Sequence, residues 1–463
     1  MIRLFKVSVP SAALALILSE SILLFSCYAV AVYLSEISAD VFLFDDNGLW
    51  KIASVVLIVL MGLYFLDFYE DYRITSRIAL IQQYCVALGV VFLIQALLNY
   101  GHWNALILPK WAMVYGSTSA LLILPLWRIA FTKMLWNSIG ARKLLFIGSS
   151  HAVREVIGRI GERPELGLAA LGFLDSGSEV PAKLGPTPRL GGIEDLDSVV
   201  ESRKPDAIIV GMSERRGKLP VQRLLELRLS GLYVEQAALT YETVFHRVST
   251  QDLRPSDLIF SNELAPRRQN ILIQSAISFV LAAATLVVAM PVMVIVALVV
   301  KFSSPGPVLF RQKRVGLNGE EFTIYKFRSM RQDAEAKSGP IWASKDDPRV
   351  TPVGALLRKL RLDELPQLFN VIKREMSIVG PRPERPEFVA VLQEKIPYYR
   401  QRHCVKPGIT GWAQINYRYG DTIEDTLVKL EYDLYYIKHQ AWSLDAFIIF
   451  HTVKTMLFGR GAR

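Results

Sequence analysis

Cysteine is scarce in this chain: three in 463 residues, with no CxxC pair among them. Neither a disulfide framework nor a cysteine-rich zinc site is therefore indicated. Cys27 and Cys85 lie in apolar stretches and Cys404 stands alone, which fits a soluble part facing a reducing cytoplasm. No internal repeat or low-complexity tract occurs. No homeodomain, zinc-finger or RRM signature occurs either, so the net charge of +10, from 53 Lys+Arg against 43 Asp+Glu, does not point to nucleic acid. Two further absences bear on enzyme class. Gly148-Ser149-Ser150-His151 falls where a dinucleotide fingerprint would lie, but the second and third glycines are missing. No tyrosine has a lysine four residues on, which weighs heavily against a membrane-bound nucleotide-sugar dehydratase or epimerase.

What is abundant is apolar sequence. Hydrophobic residues make up 51% of the chain and the mean hydropathy is +0.28, with the excess concentrated in 11–131 and 271–300. Segments 11–34, 50–68, 78–99 and 111–131 each approach the ~20 residues that span a bilayer as a helix. The first is too long for a signal-peptide core and is followed by three like it, so a retained span is expected. The 35–48 loop carries Glu36, Asp40, Asp45 and Asp46 and no Lys or Arg. Arg73 and Arg77 follow the second span, and Arg128, Lys133, Arg142 and Lys143 cluster at the exit from the fourth. The positive-inside rule then places the N-terminus and everything after residue 133 in the cytoplasm.

Strand-like runs at 143–150, 169–175, 206–212 and 231–236 alternate with helical pattern through Ile160 and at 194–203 and 218–229. This alternation predicts a parallel, doubly wound α/β domain. The apolar run 271–300 is long enough to cross a membrane, yet Arg267 and Arg268 precede it and Lys301, Arg311, Lys313 and Arg314 follow. Both ends thus prefer the cytoplasm, and Pro291 inside the run removes a helical hydrogen bond. A helix that enters, turns near Pro291 and leaves on the same side is expected; a kinked fifth span is the alternative. Near the C-terminus, 441–458 reads as an apolar-faced helix suited to lying on a membrane or packing on its domain.

The chemistry concentrates in 356–383, LLRKLRLDELPQLFNVIKREMSIVGPRP. Leu357, Leu360, Leu365, Leu368, Phe369 and Ile372 mark a face at helical spacing, and Pro366 belongs in a first turn, so a helix start with Asp363 at its N-cap is predicted. Free N–H groups and the upstream Arg358 and Arg361 would keep Asp363 ionised, as a carboxylate nucleophile requires. Glu364 beside it suits Mg²⁺, which takes one or two carboxylates plus substrate phosphates. By itself an adjacent Asp-Glu pair is usually a solvated helix start. Pro381-Arg382-Pro383 adds a stiff turn presenting one guanidinium fork for phosphate.

RLDELPQLFNVIKREMSIVGPRP resembles the signature of bacterial polyprenyl-phosphate hexose-1-phosphate transferases, which initiate capsule, O-antigen and exopolysaccharide synthesis. More of that family's pattern follows in order: Ser304-Pro305-Gly306-Pro307, RQKRVGLNG (311–319), YKFRSM (325–330), DDPRVTPVG (346–354) and KPGITGWAQINYRYGD (406–421). The similarity runs through nearly all of 270–463. Within the family the chain looks closest to the exopolysaccharide transferases associated with exosortase systems. The resemblance implies four transmembrane helices over 1–137, a Rossmann-like cytoplasmic domain over 138–265, and a mostly helical catalytic module with a re-entrant membrane helix over 266–463. It implies transfer of hexose 1-phosphate from a UDP-hexose to undecaprenyl phosphate at the inner membrane, with release of UMP and a covalent phosphosugar on the enzyme. Asp363 matches the nucleophile, Glu364 the Mg²⁺-binding partner, Arg358 a phosphate-binding arginine, and Arg382 the centre of the Pro381–Pro383 turn. Met290-Pro291 takes the place of the helix-breaking element, although the serine often found before that proline is absent. A homodimer embedded among membrane lipids is the expectation from the large members.

Lys326, Arg328 and Arg349 are further candidates for phosphate or nucleotide contacts; from 301 to 331 there are seven Lys/Arg and two acidic residues. A membrane-facing basic surface would look the same. Asp195-x-Asp197 reads as a solvated helix face rather than a metal motif. His403 and Cys404 adjoin but lack a base–nucleophile partner. Trp412, Tyr417 and Tyr419 fit a core as readily as a stacking platform. A non-catalytic scaffold of polysaccharide assembly would be expected to have lost the Asp-Glu dyad or the Pro-Arg-Pro turn, and both are intact.

Overall fold

The computed structural model describes residues 2–4, 7–9, 11–35, 39–66, 68–69, 77–103, 106–138, 141–163, 166–177, 181–212, 219–253, 268–332, 347–417, 420 and 422–457. Glu36, Arg73, Arg267 and Tyr419, invoked above, lie outside these residues, as do the side chains of Arg77, Lys133 and Arg268. A hairpin of β1 (Ile2–Leu4) and β2 (Val7–Val9) leads into α1 (Ser11–Ser35), α2 (Ala39–Phe44), α3 (Gly48–Phe65), α4 (Arg77–Tyr100) and α5 (Lys110–Ser138). The four long helices match the four apolar segments; the short α2 occupies part of the acidic stretch read as a loop. Among them Glu20 is wholly buried and accepts from Tyr69 (2.6 Å) and Tyr84 (2.8 Å), with Arg128 at 3.5 Å. An acid this deep persists only when paired, and here the pairing ties α1 to α4 and α5.

The α/β domain is a six-stranded sheet. Its strands are β3 (Arg142–Ile147), β4 (Leu168–Leu174), β5 (Lys183–Leu184), β6 (Thr187–Gly191), β7 (Ala207–Val210) and β8 (Tyr233–Gln236), in the order β5-β6-β4-β3-β7-β8. All neighbours are parallel except β5 and β6. Helices α6 (His151–Glu162) and α9 (Ala237–Phe245) cover one face; α7 (Leu196–Arg203) and α8 (Val221–Leu229) cover the other. Continuous apolar runs such as Leu144–Ile147 and Ala207–Val210 are what a sheet buried on both faces demands. The β5–β6 ribbon has no such run, and the sequence reading missed it.

Next comes α10 (Arg268–Ser303), a single 36-residue helix with Pro291 inside it. It makes a fifth helix long and apolar enough to cross a membrane, after α1, α3, α4 and α5. The helix runs unbroken through Pro291, where the sequence predicted a break. Packing explains the difference: Gln274, Ser278, Ala282, Leu286, Ala289, Met293, Val296 and Val300 form one stripe seated on the following module on both sides of the proline. A lost hydrogen bond cannot break a helix whose two halves are held on the same surface.

That module holds the antiparallel pair β9 (Leu309–Val315) and β10 (Glu321–Phe327), then α11 (Pro352–Lys359), α12 (Gln367–Ile372), β11 (Ser377–Val379), α13 (Pro386–Lys395), β12 (Gly408–Thr410), α14 (Trp412–Asn416), α15 (Ile423–Lys438) and α16 (Trp442–Leu457). β11 and β12 pair in parallel. α16 buries Leu444 and Ile448 in the module, and its His451 meets Tyr64 of α3 while Lys454 lies over the Tyr64 ring. It therefore joins the module to the N-terminal helices.

The α/β domain docks on α15. Glu431 accepts from Tyr241 (2.9 Å) and from the Thr250 amide (3.0 Å), and Lys438 pairs with Glu242 at 2.7 Å. Trp412 is a core residue, stacked on Tyr435 and donating to the His246 carbonyl at 2.9 Å. It is no free platform for a base.

Candidate active site

Thr351 caps α11 by accepting from the Gly354 amide at 2.9 Å, and Pro352 occupies the first helical position. A side chain at Gly354 would collide with the Ser329 carbonyl, so α11 lies directly on the end of β10. That contact brings Arg358 Nε to Ser329 Oγ at 3.0 Å. After Lys359 the helix fails: Arg361 adopts left-handed backbone (φ 53°), and a 3₁₀ turn, Leu362–Glu364, carries Asp363 and Glu364.

The turn corrects one expectation. Asp363 is not the N-cap of the next helix; Pro366 is, and α12 begins at Gln367. A proline has no N–H to continue the helix backwards, so the carboxylates sit one tight turn ahead of it. Asn370 of α12 then fixes the turn against β10: it is fully buried, accepts from the Tyr325 amide (3.1 Å) and donates to the Thr323 carbonyl (2.7 Å) and Glu375 (2.7 Å).

Within this frame two cations converge on one oxygen. Lys326 Nζ lies 2.9 Å and Arg382 Nη2 2.8 Å from Glu364 Oε1. Burial opposes the charge on Glu364, but Arg382 and Lys326 outweigh it and hold this carboxyl well below the usual range. Asp363 is buried, only 7% exposed. Its pKa is raised: burial dominates and Glu364 adds to it, against the pull of Lys326, Arg358 and Arg382. This reverses the sequence expectation that helix N–H groups and arginines would favour its charge. α12 is six residues long and starts beyond it, so desolvation is the larger effect.

Lys326, Arg358, Asp363, Glu364 and Arg382 are thus brought together, with Pro381 and Pro383 flanking the last. Arg328 is placed otherwise. It is buried, and its guanidinium donates to the carbonyls of Val300 (3.1 Å), Ser304 (2.7 Å) and Pro307 (2.6 Å) and to Ser304 Oγ (2.9 Å). That is a cap on the C-terminal end of α10. Arg349 forms a local pair with Asp347 at 2.6 Å, which draws the Asp347 carboxyl below its ordinary value. Sequence reasoning missed Ser329 and Asn370; a polar residue within an otherwise apolar helical face was the available signal for Asn370.

The remaining candidates resolve into structure. Asp195 accepts from the Gly192 amide (2.9 Å), and Asp197 pairs with Arg223 (2.6 Å). Burial pushes the Cys404 thiol up to about 11 and the His403 imidazole down to about 4, the reverse of an activated pair. At the β3–α6 turn, Asp252 accepts from the Ala152 amide (2.8 Å), so a carboxylate of the chain itself serves the end of the helix where a phosphate would bind. Tyr417 donates to Asp425 at 2.7 Å.

No group of three or more His, Cys, Asp or Glu arranged for a metal ion occurs among the described residues. Two adjacent carboxylates still match the small number of protein ligands Mg²⁺ accepts when phosphates complete its shell, so the donor set fits that ion.

Residues 269–459 match the family model described as Bacterial sugar transferase. The chain is 32% identical over 446 residues, 86% of its length and 93% of the relative's, to a Klebsiella pneumoniae protein named UDP-glucose:undecaprenyl-phosphate glucose-1-phosphate transferase. It is 40% identical over 276 residues to the Aeromonas hydrophila UDP-N-acetylgalactosamine-undecaprenyl-phosphate N-acetylgalactosaminephosphotransferase, covering 60% of this chain. With the Komagataeibacter xylinus undecaprenyl-phosphate glucose phosphotransferase it shares 36% identity over 333 residues, 70% of this chain. The chain spans 62% and 60% of the lengths of these last two relatives.

Proposed function

Because the chain belongs to the bacterial polyprenyl-phosphate sugar-1-phosphate transferases, we propose that it moves a hexose 1-phosphate from a UDP-sugar to undecaprenyl phosphate at a membrane surface, releasing UMP. The observation that carries this reading is the buried Asp363 beside a Glu364 whose Oε1 is gripped by both Lys326 and Arg382. In the first step an Asp363 carboxylate oxygen attacks the sugar-bearing phosphorus of the donor. The bond from that phosphorus to the bridging oxygen breaks, and UMP leaves with the electron pair. In the second, an oxygen of the lipid phosphate attacks the same phosphorus and the Asp363 carboxylate is released. With the acceptor phosphate dianionic, charge balances in each step without a proton transfer.

The task left to the protein is therefore electrostatic. A buried carboxylate must meet a diphosphate, and Lys326, Arg358 and Arg382 offset the repulsion in a site of low dielectric. Mg²⁺ held by Glu364 and the donor phosphates would neutralise further charge on the leaving group. Burial that raises the Asp363 pKa also strips its water and leaves a reactive anion once it is deprotonated.

The stripe on α10 supports a helix that dips into the bilayer with both ends on the cytoplasmic side. From Gln274 to Val300 it runs roughly 39 Å at 1.5 Å per residue, more than the ~30 Å of hydrocarbon in a bilayer. A crossing helix would drag the charged module through the membrane with it. Its outward face, with Leu272, Val280, Val287, Val288, Ile295 and Phe302 exposed, suits contact with lipid at the place where the lipid phosphate must arrive.

The test is UMP release from a panel of UDP-glucose, UDP-galactose and the N-acetylated sugars, with undecaprenyl phosphate and Mg²⁺. UMP from one donor, lost in Asp363→Asn, is expected. UDP in place of UMP would mean an ordinary glycosyltransferase.

A further inference from the structure

Arg382 reaches Glu364 from a stretch poor in hydrogen-bond donors. Pro381, Pro383 and Pro386 have no N–H, so this segment can be anchored mainly through its carbonyls. Four in succession are held, from three parts of the module. Gly408 N donates to Pro381 O (2.9 Å), Arg402 Nη2 to Arg382 O (3.0 Å), Arg314 Nη1 to Pro383 O (3.1 Å) and Val315 N to Glu384 O (2.9 Å). Arg402 thus holds the very residue whose guanidinium lies on Glu364.

Arg402 is an expensive side chain to place there. It is 7% exposed and Asp433 1% exposed, and the two meet at 2.8 Å and 3.1 Å. A third nitrogen, Nη1, donates to Tyr399 Oη at 2.6 Å. Desolvating an ion pair commonly cancels its attraction, so a buried pair is a weak device for stability and a better one for fixing geometry. The guanidinium is a rigid fork, and its three nitrogens span α15, the Tyr399 turn and the Arg382 backbone at once. Asp433 is pushed up to about 6 by burial, against the pull of Arg402, so that arginine is what keeps the carboxyl from rising further.

We propose that Arg402, neutralised by Asp433, is a positioning residue: it fixes the main chain at Arg382 so that the Arg382 guanidinium lies on Glu364 during transfer. The inference rests on the reaction proposed above. Arg402 touches neither Asp363 nor Glu364 and acts only through Arg382.

A double-mutant cycle on the full-length protein in nanodiscs tests it, read as UMP release with UDP-hexose and undecaprenyl phosphate and paired with thermal unfolding. Arg402→Lys keeps the charge but cannot serve three partners at once. It is expected to lower kcat about 10- to 100-fold, with donor KM changed less than about threefold, as misplacement of a catalytic group does. In an Arg382→Lys background, where no guanidinium is left to place, the same change should cost less than about threefold. An equal loss in both backgrounds, or none in either, overturns the proposal. Should Arg402→Lys not fold, Asp433→Asn and Tyr399→Phe, each removing one support of the guanidinium, take its place in the cycle. Absence of UMP from the unaltered protein would instead sink the reaction itself, whereas turnover with an additive cycle would sink the positioning role alone.

Discussion

Asp363 carries its charge against its surroundings. Burial raises its pKa above the ordinary 3.8, so the folded chain holds this proton more tightly than the unfolded one. The sign of the stability effect follows. The contribution of Asp363 is greatest at low pH and falls as pH rises from 3.8 through the raised value. Asp363→Asn removes that cost, and its thermal midpoint near neutral pH should equal or exceed that of the unaltered protein while turnover drops by about 10³-fold or more. A large fall in the midpoint would show that Asp363 is structural. The acid limb of kcat/KM should rise with pH about a midpoint above 3.8, since only the ionised form attacks. A pH–rate profile on the free enzyme reads this directly.

At the scale of elements, α10 is the member whose behaviour departs most from its sequence. Its end is pinned by Arg328, which donates to three carbonyls there. Arg328→Ala removes the donor to all three carbonyls, the Val300 one in a buried bond, and should destabilise the module by about 2–4 kcal/mol, seen as a lower midpoint. Lys326→Ala, two residues away at the end of β10, should instead reduce turnover with a smaller change in midpoint. If the two substitutions behaved alike, the division between cap and active-site cation would fail. The proposed course of α10 has its own check. Single cysteines replacing Gln269 and Ser304, in a background with Cys27, Cys85 and Cys404 replaced, should react with an impermeant maleimide from the same side of the membrane. Labelling from opposite sides would make α10 a true span.

Across the whole molecule, the α/β domain, the module and the N-terminal helices are joined by a few polar contacts. Asp252 caps α6 of one domain from the segment that carries Val248 and Thr250 onto Glu431 of the other. Asp252→Ala should cost about 1–2 kcal/mol, the usual worth of a cap, and speed amide exchange at Ala152. UMP release should survive it, because Asp252 lies in neither the dyad nor its cationic shell. Loss of release with the fold intact would show that this junction governs catalysis.

Much of this architecture was legible in the chain. Four apolar segments, the strands Leu144–Ile147 and Ala207–Val210, and the Asp-Glu and Pro-Arg-Pro motifs are local signals, set by composition and spacing within a dozen or so residues. Membership of the family followed from several such motifs in a fixed order. The tertiary structure decided what depends on partners distant in sequence. Pro291 stays helical because the module seats both halves of α10, and Asp363 resists ionisation because burial outweighs its arginines. Arg328 and Lys326, two residues apart and alike in charge, part company because one meets the carbonyls at the end of α10 and the other meets Glu364. Periodicity and charge describe a residue's own tendencies; whether a cation caps a helix or faces a substrate is settled by what folds against it.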